Sequence, residues 1–419
     1  MPLINKIKIA EEAEKVRESK KLSLRKELQT LDKADEIGLY YGFQPVDTPT
    51  IPKNDPNLAK LVKEIEPIHR ENFDPENLNC LSCLEEKVAI IQKYVDENLG
   101  TFSQPIMIYY HGPILQKGEK RKATKEKNYG FEIVGTEKSI AEATLIKTAV
   151  AILNEEGFQN LFVEINSIGD KDSNARWSRE LTNYYRKHLN LLPAECKQAL
   201  KKDPLEVFAC THEKCLSLKE QAPKSLSFLT EKSRRYFKEI LEYLEMMEIP
   251  YRINNGLIGK RFCSETIFEI KSEETVLPLA IGLRYDAVSK RLGFKKELPA
   301  VGVKLVFKTL LPEKAKKLQA VKTLKKPKFY FIQLGFDAKL KSLQVVEILR
   351  QAKISLFQSL SKDKFTAQMA TAENLKIPYV IIMGQKEAME NSVIVRHMVT
   401  RSQDTIAITD LPKYLEKIK

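Results

Sequence analysis

Between Tyr109 and Glu137 the chain reads YYHGPILQKGEKRKATKEKNYGFEIVGTE: an apolar run, a Gly-Pro step, a loop carrying Lys117, Lys120, Arg121, Lys122, Lys125 and Lys127, and a second apolar run. Ammonium and guanidinium groups gathered on a loop between two strands favour phosphate, lysine as a point charge and arginine as a planar fork that grips two oxygens. Such a loop can hold a nucleotide or face an RNA backbone, and the bland alternative is a solvated hairpin. Thiols are the second candidate. Cys80 and Cys83 form a C-x-x-C, and Cys196, Cys210 and Cys215 fall in one segment with His212 among them. That set could clip a zinc ion, but Cys210 and Cys215 have the looser C-x4-C spacing, so thiols without a metal are the expectation.

Regular elements must position these groups. Leu24, Leu28, Leu31, Ala34 and Ile37 recur at three- and four-residue steps and predict a helix within residues 20–43 that ends at Gly42. FQPVDTPTIP alternates apolar and polar residues, and its prolines suit a strand at an edge or interface. PIMIYY and YGFEIVG predict two strands joined by the basic loop, SIAEATLIKTAVAILNEEG an amphipathic helix closed by Gly157, and NLFVEINSIG a further strand. Residues 170–250 turn helical and charged, after which YRINNGL, ETIFEI and VLPLAIGLRYD return to strand. From Lys304 to Lys328 the lysines outnumber the single acidic residue, Glu313, and predict a helix and linker outside the core. Beyond it, KFYFIQLG, SLQVVEILRQAKI, TAQMATAENLKI, YVIIMG and SVIVRHMV alternate strand and helix, the pattern of a small α/β unit with parallel strands.

A chain of 419 residues has room for two or three domains. Its 43% apolar and 30% charged residues, with no run near the roughly eighteen apolar residues of a membrane span, predict a soluble cytoplasmic protein without a membrane partner. The start, MPLINKIKIAEEAEKVRESKK, is charged throughout and lacks the apolar core of a signal peptide. The six cysteines are then expected to be reduced, and the net charge of +13 suits a polyanionic partner.

Taken in order, several short motifs resemble the histidyl-tRNA synthetase family of class II synthetases. They are the strand bearing Pro49, the strand–loop–strand at Gly112-Pro113, INSIGDKDSNAR at 165–176, ETIFEI at 265–270, LRYDAVSKRLG at 283–293, and YVIIMGQKEAMENSVIVRHMV near the end. The resemblance implies an α+β fold. A class II synthetase-like antiparallel sheet core flanked by helices occupies 1–325, with a helical insertion at about 170–250, and an anticodon-binding-like α/β domain occupies 326–419. It also implies ATP and Mg if the chain is active, tRNA or another RNA as partner, and a homodimer formed through the first motif.

The same resemblance assigns positions. The motif 2 arginine that holds the α-phosphate of ATP aligns with Gln116, and Arg121 lies five residues on as a substitute. The family's R-G-L-D-Y-Y aligns with Ile258 to Cys263, so that Ile258 stands for the arginine, Arg261 for the aspartate, and Phe262 and Cys263 for the tyrosines. The motif 3 helix start and adenine-stacking arginine align with Val306, Lys308 and Thr309. Other positions persist. Glu86 matches the glutamate of an arginine-proline-glutamate-glycine segment whose arginine and glycine are absent, Gly130 and Glu132 match the end of motif 2, and Asn128 replaces a glutamine. Gly282, Arg284, Tyr285 and Asp286 keep the family's turn, although Arg284 and Asp286 also suit a structural ion pair. The expected amino-acid pocket is therefore Glu86, Asn128, Glu132, Arg284 and Tyr285, and the expected ATP or RNA loop is Lys117, Lys120, Arg121 and Lys122.

Three functions fit this pattern. The favoured one is a divergent paralogue with lost or weakened aminoacylation that binds tRNA or other RNA, because three motifs have lost the residue that does the chemistry. The others are an active histidine-tRNA ligase and a regulator resembling the ATP phosphoribosyltransferase regulatory subunit, against which the C-terminal unit counts.

Overall fold

A capping box decides where the first described helix begins. Asp32 Oδ1 accepts from the Asp35 N–H at 2.9 Å and Asp35 Oδ2 accepts from the Asp32 N–H at 2.9 Å, so the helix spans only Lys33–Tyr40. Leu31, expected inside a longer helix, lies instead in the strand Thr30–Leu31, antiparallel to Gln319–Ala320. A computed structural model describes residues 30–52, 84–118, 125–259, 262–310, 319–320, 327–360 and 362–418. The earlier half of the expected helix lies outside them.

The core is an eight-stranded sheet in the order Gln44–Pro45, Ile106–His111, Lys127–Val134, Ala300–Phe307, Ala280–Arg284, Ser264–Ser272, Leu161–Gly169, Tyr251–Ile253. Its inner pairings are antiparallel, and only the two short edge strands run parallel to their neighbours. The central strands are continuous apolar runs because both faces are covered. On one face packs Ile140–Glu155, a helix buried over most of its length. The segment FQPVDTPTIP yields two-residue strands at Gln44–Pro45 and Thr50–Ile51, the latter paired in parallel with Leu115–Gln116. Residues 171–246 form the expected helical insertion, whose helices enclose a second apolar cluster around Trp177, Leu181 and Phe208.

Two expectations are corrected here. Lys304 to Phe307 is not linker but the end of the central strand Ala300–Phe307, because Lys304 carries its ammonium to a partner in the interior. The C-terminal sheet, in the order Leu356–Gln358, Phe329–Gln333, Tyr379–Met383, Ser392–His397, Gln403–Ala407, is mixed rather than parallel. The helices Phe336–Gln351 and Phe365–Asn374 carry the crossovers of its parallel part, while the last two strands return antiparallel through short connections. This unit packs on the core: Tyr40 Oη donates to the carbonyls of Val346 and Ile354, and Tyr41 Oη donates to Glu347 Oε2 at 2.5 Å.

Candidate functional site

Four ionisable side chains meet in the interior where the helix Leu84–Asp96 crosses the strands Lys127–Val134 and Ala300–Phe307. Glu132 stands opposite Gly302 in the register of these strands, and a Cβ at 302 would fall 1.7 Å from Glu132 Oε2. Glycine is required there so that the carboxylate can lie across the neighbouring strand. Lys87 Nζ donates to Glu132 Oε1 at 3.0 Å and sits 4.7 Å over the Tyr285 ring, while Tyr285 Oη donates to Glu132 Oε2 at 2.8 Å. Lys304 Nζ donates to Glu86 Oε1. Glu132 is 0% exposed, Lys87 3%, Lys304 5% and Glu86 6%, so each carboxylate is neutralised by one ammonium away from water. Burial holds the Glu86 carboxyl above its ordinary range despite the opposing Lys304 charge, and burial together with Glu132 keeps the Tyr285 hydroxyl protonated and donating.

Arg284 lies in a separate cluster. Its Nε and Nη2 donate to the two oxygens of Glu142 at 2.7 and 2.9 Å, and its Nη1 donates to the Thr136 carbonyl at 3.0 Å and to Asp286 Oδ1 at 3.3 Å. Tyr236 Oη donates to the same carboxylate at 2.7 Å, and Asp286 Oδ1 also accepts from the Ala300 N–H at 2.8 Å. Burial pushes the Asp286 carboxyl up to about 6, with Arg284 opposing the shift. Nearby Glu265 accepts from Ser233 Oγ at 3.0 Å through one oxygen, and burial pushes its carboxyl up to about 7.

Residues 328–418 match the anticodon binding domain family. Over most of its length the chain is similar to curated histidine–tRNA ligases. It is 26% identical to that of Lysinibacillus sphaericus over 91% of this chain and 93% of the relative, and 25% identical to that of Dehalococcoides mccartyi over 90% and 92%. The ligase of Listeria innocua is 29% identical over 80% of each chain. The likeness over most of the chain is thus to histidyl-tRNA synthetases, at 25–29% identity. The chain's architecture is α+β, an eight-stranded sheet core followed by a five-stranded sheet in the part that matches the anticodon binding domain.

Lys87 follows Glu86, at the position expected to match a family glycine, and its side chain is the one that reaches Glu132. None of the three positions expected to match the family's arginines carries a cation. Gln116 is exposed on the short strand Leu115–Gln116, Ile258 packs half-buried against the second apolar cluster, and Thr309 lies half-buried past the end of the strand Ala300–Phe307. Phe262 and Cys263 are buried, and Arg261 lies outside the described residues. Val306 remains on the strand opposite Asn128 rather than starting a helix, and Lys308 is exposed, 3.9 Å from Glu126. Asn128 Oδ1 is buried and lacks a hydrogen-bond partner among the described residues. Gly130 and Gly282 have packing reasons: a Cβ at Gly130 would strike the Tyr110 ring at 2.0 Å, and one at Gly282 the Phe268 ring at 2.1 Å.

Of the basic loop, Lys120, Arg121 and Lys122 lie outside the described residues, while Lys117 and Lys125 are exposed. Lys127 donates to Glu156 Oε1 at 2.5 Å and is thereby tied to the core. Cys80 and Cys83 also lie outside the described residues, whereas Cys196, Cys210 and Cys215 come together. The residues that sequence reasoning passed over are Lys87, Lys304, Glu142, Tyr236 and Glu265. A signal existed for two of them: Lys304 interrupts the apolar run AVGVKLVF, and Lys87 replaces a glycine in a segment already aligned.

Proposed function

We propose that this chain is a histidyl-tRNA synthetase-like protein that binds tRNA or another structured RNA and has lost or much reduced histidine activation. The observation that carries the reading is the pair of internal ammonium groups, Lys87 on Glu132 and Lys304 on Glu86. They neutralise the two carboxylates that the family pattern assigns to the amino-acid pocket, so a cationic amino group entering there would meet groups already compensated. Gln116, Ile258 and Thr309 offer no fork-shaped cation to a triphosphate, so these positions do not fit the family's way of holding ATP with Mg. RNA binding is supported by the match of residues 328–418 to an anticodon binding domain and by the net charge of +13.

The alternative is an active histidine-tRNA ligase dependent on ATP and Mg, favoured by the length of the similarity to proteins so named. Under both readings we place the division between synthetase-like core and anticodon-binding-like unit near residue 325, and expect a homodimer formed through the segment around Pro49–Ile51. Light scattering at micromolar concentration should give twice the mass of 48.1 kDa, and a monomer would remove the dimer from the proposal. RNA binding is tested by fluorescence anisotropy with labelled tRNA across a salt series. Replacing Lys120, Arg121 and Lys122 by Ala should weaken binding and flatten the salt slope by up to about three phosphate contacts. Unchanged affinity and slope would leave the loop a solvated hairpin.

A further inference from the structure

Three short helices of the insertion, Ala194–Lys202, Pro204–Ala209 and Glu213–Gln221, bring three thiols to one point. Cys196 Sγ lies 3.6 Å from Cys210 Sγ and 3.4 Å from Cys215 Sγ, and all three sulfurs fall within 4.8 Å of one another. These separations are far beyond the roughly 2.05 Å of a disulfide. The two short ones lie within a few tenths of an ångström of the spacing in a tetrahedral thiolate site, where zinc–sulfur bonds of about 2.3 Å set sulfurs about 3.8 Å apart. The His212 N–H donates to Cys210 Sγ at 3.4 Å, a contact of the kind that orients a ligating sulfur. Cys196 and Cys215 are buried, and Cys210 is the partly exposed member through which an ion would enter.

Two chain features call for such a clip. Helices of nine, six and nine residues are well below the length that is stable without tertiary support. Their apolar faces join the second apolar cluster through Ala199, Leu200, Val207, Phe208 and Leu218, and one ion cross-linking the three helices would fix them to one another as well. The ring of His212 is turned to its own helix, its Nδ1 accepting from the Lys214 N–H at 3.2 Å, so it is not among the three converging ligands.

We infer that Cys196, Cys210 and Cys215 bind a zinc ion through three thiolate ligands, leaving its fourth position open to solvent on the Cys210 side. The inference is independent of whether the chain charges tRNA. The test uses the full chain purified without chelator. Metal analysis should give one zinc per chain, and cobalt(II) exchanged into the chain should show the intense visible d–d bands of tetrahedral thiolate coordination. Cys210→Ser, which alters the most exposed ligand, should lose the zinc and melt at a lower temperature, whereas Cys263→Ala, a thiol buried elsewhere, should keep it. A chain that carries no zinc and takes up none from micromolar solution would overturn the inference. So would zinc retained at full stoichiometry in Cys210→Ser. If that variant fails to fold, the cobalt spectrum of the unaltered chain decides: octahedral, weakly absorbing cobalt would overturn the site.

Discussion

In the C-terminal sheet the buried polar contacts join neutral amides: the Gln333 N–H donates to Gln368 Oε1 at 3.1 Å, Gln368 Nε2 donates to the Gln333 carbonyl at 2.8 Å, and Gln333 Nε2 donates to Gln358 Oε1 at 2.8 Å. The core sheet instead buries full charges, with Lys87 on Glu132, Lys304 on Glu86 and Arg284 on Glu142. Amides of this kind tie a helix to a strand with little desolvation to overcome. Buried ion pairs lose to desolvation much of what attraction returns, so a fold gains little by acquiring them. The charges of the core are therefore costly to leave unpaired, and each pair holds its strands and helix together only while both partners are present. The unit held by the amide contacts is the part that matches the anticodon binding domain family.

The contrast can be broken most forcefully at Lys87. Lys87→Met leaves Glu132 buried with only the Tyr285 hydroxyl, and should lower stability by about 3–5 kcal/mol in urea unfolding. Adding Glu132→Gln should recover much of that loss, and a single variant as stable as the parent would show the pair to be unimportant. Arg284→Lys keeps the charge but loses the two-pronged contact with Glu142 and should cost about 2–3 kcal/mol by the same assay.

Glu265 gives a pH signature. Its folded carboxyl is pushed up to about 7 by burial, above the ordinary value near 4.5, so the folded state holds a proton that the unfolded chain has released. The stability this provides is fully present below about 4.5 and is lost as pH rises through 7. Glu265→Gln removes the titration, and at pH 8 it should be about 2 kcal/mol more stable relative to the parent than at pH 4. A pH-independent difference in melting temperature would contradict this. The smallest effect is expected in the neutral cluster: Gln368→Leu should cost about 1–2 kcal/mol and leave the pH dependence unchanged.

Much of the fold was legible in the residues because period and punctuation agree along the central strands and the Ile140–Glu155 helix. The exceptions have local causes. Asp32 and Asp35 form a reciprocal cap that starts the helix later than the leucine spacing suggests, and a lysine count over 304–328 hid a strand residue whose charge is satisfied inside. Pairings such as Arg284 with Glu142, 142 residues apart, have no periodic trace in a single sequence. The expectation that Gln116, Ile258 and Thr309 stand at arginine positions comes from short motifs alone. That Lys87 meets Glu132 and Lys304 meets Glu86 required knowing which side chains come together.

Histidine-dependent exchange of pyrophosphate into ATP by the purified full chain tests most directly whether internal lysines have displaced substrate chemistry. Absence of one positioned oxyanion-stabilising contact typically lowers rate by about 10²–10³-fold, and under the proposed reading three such positions, Gln116, Ile258 and Thr309, are neutral. Exchange should therefore not rise above the histidine-free background. Histidine-specific exchange at the 1–10³ per second turnover ordinary for enzymes, roughly speaking, would contradict the displacement and restore the ligase reading.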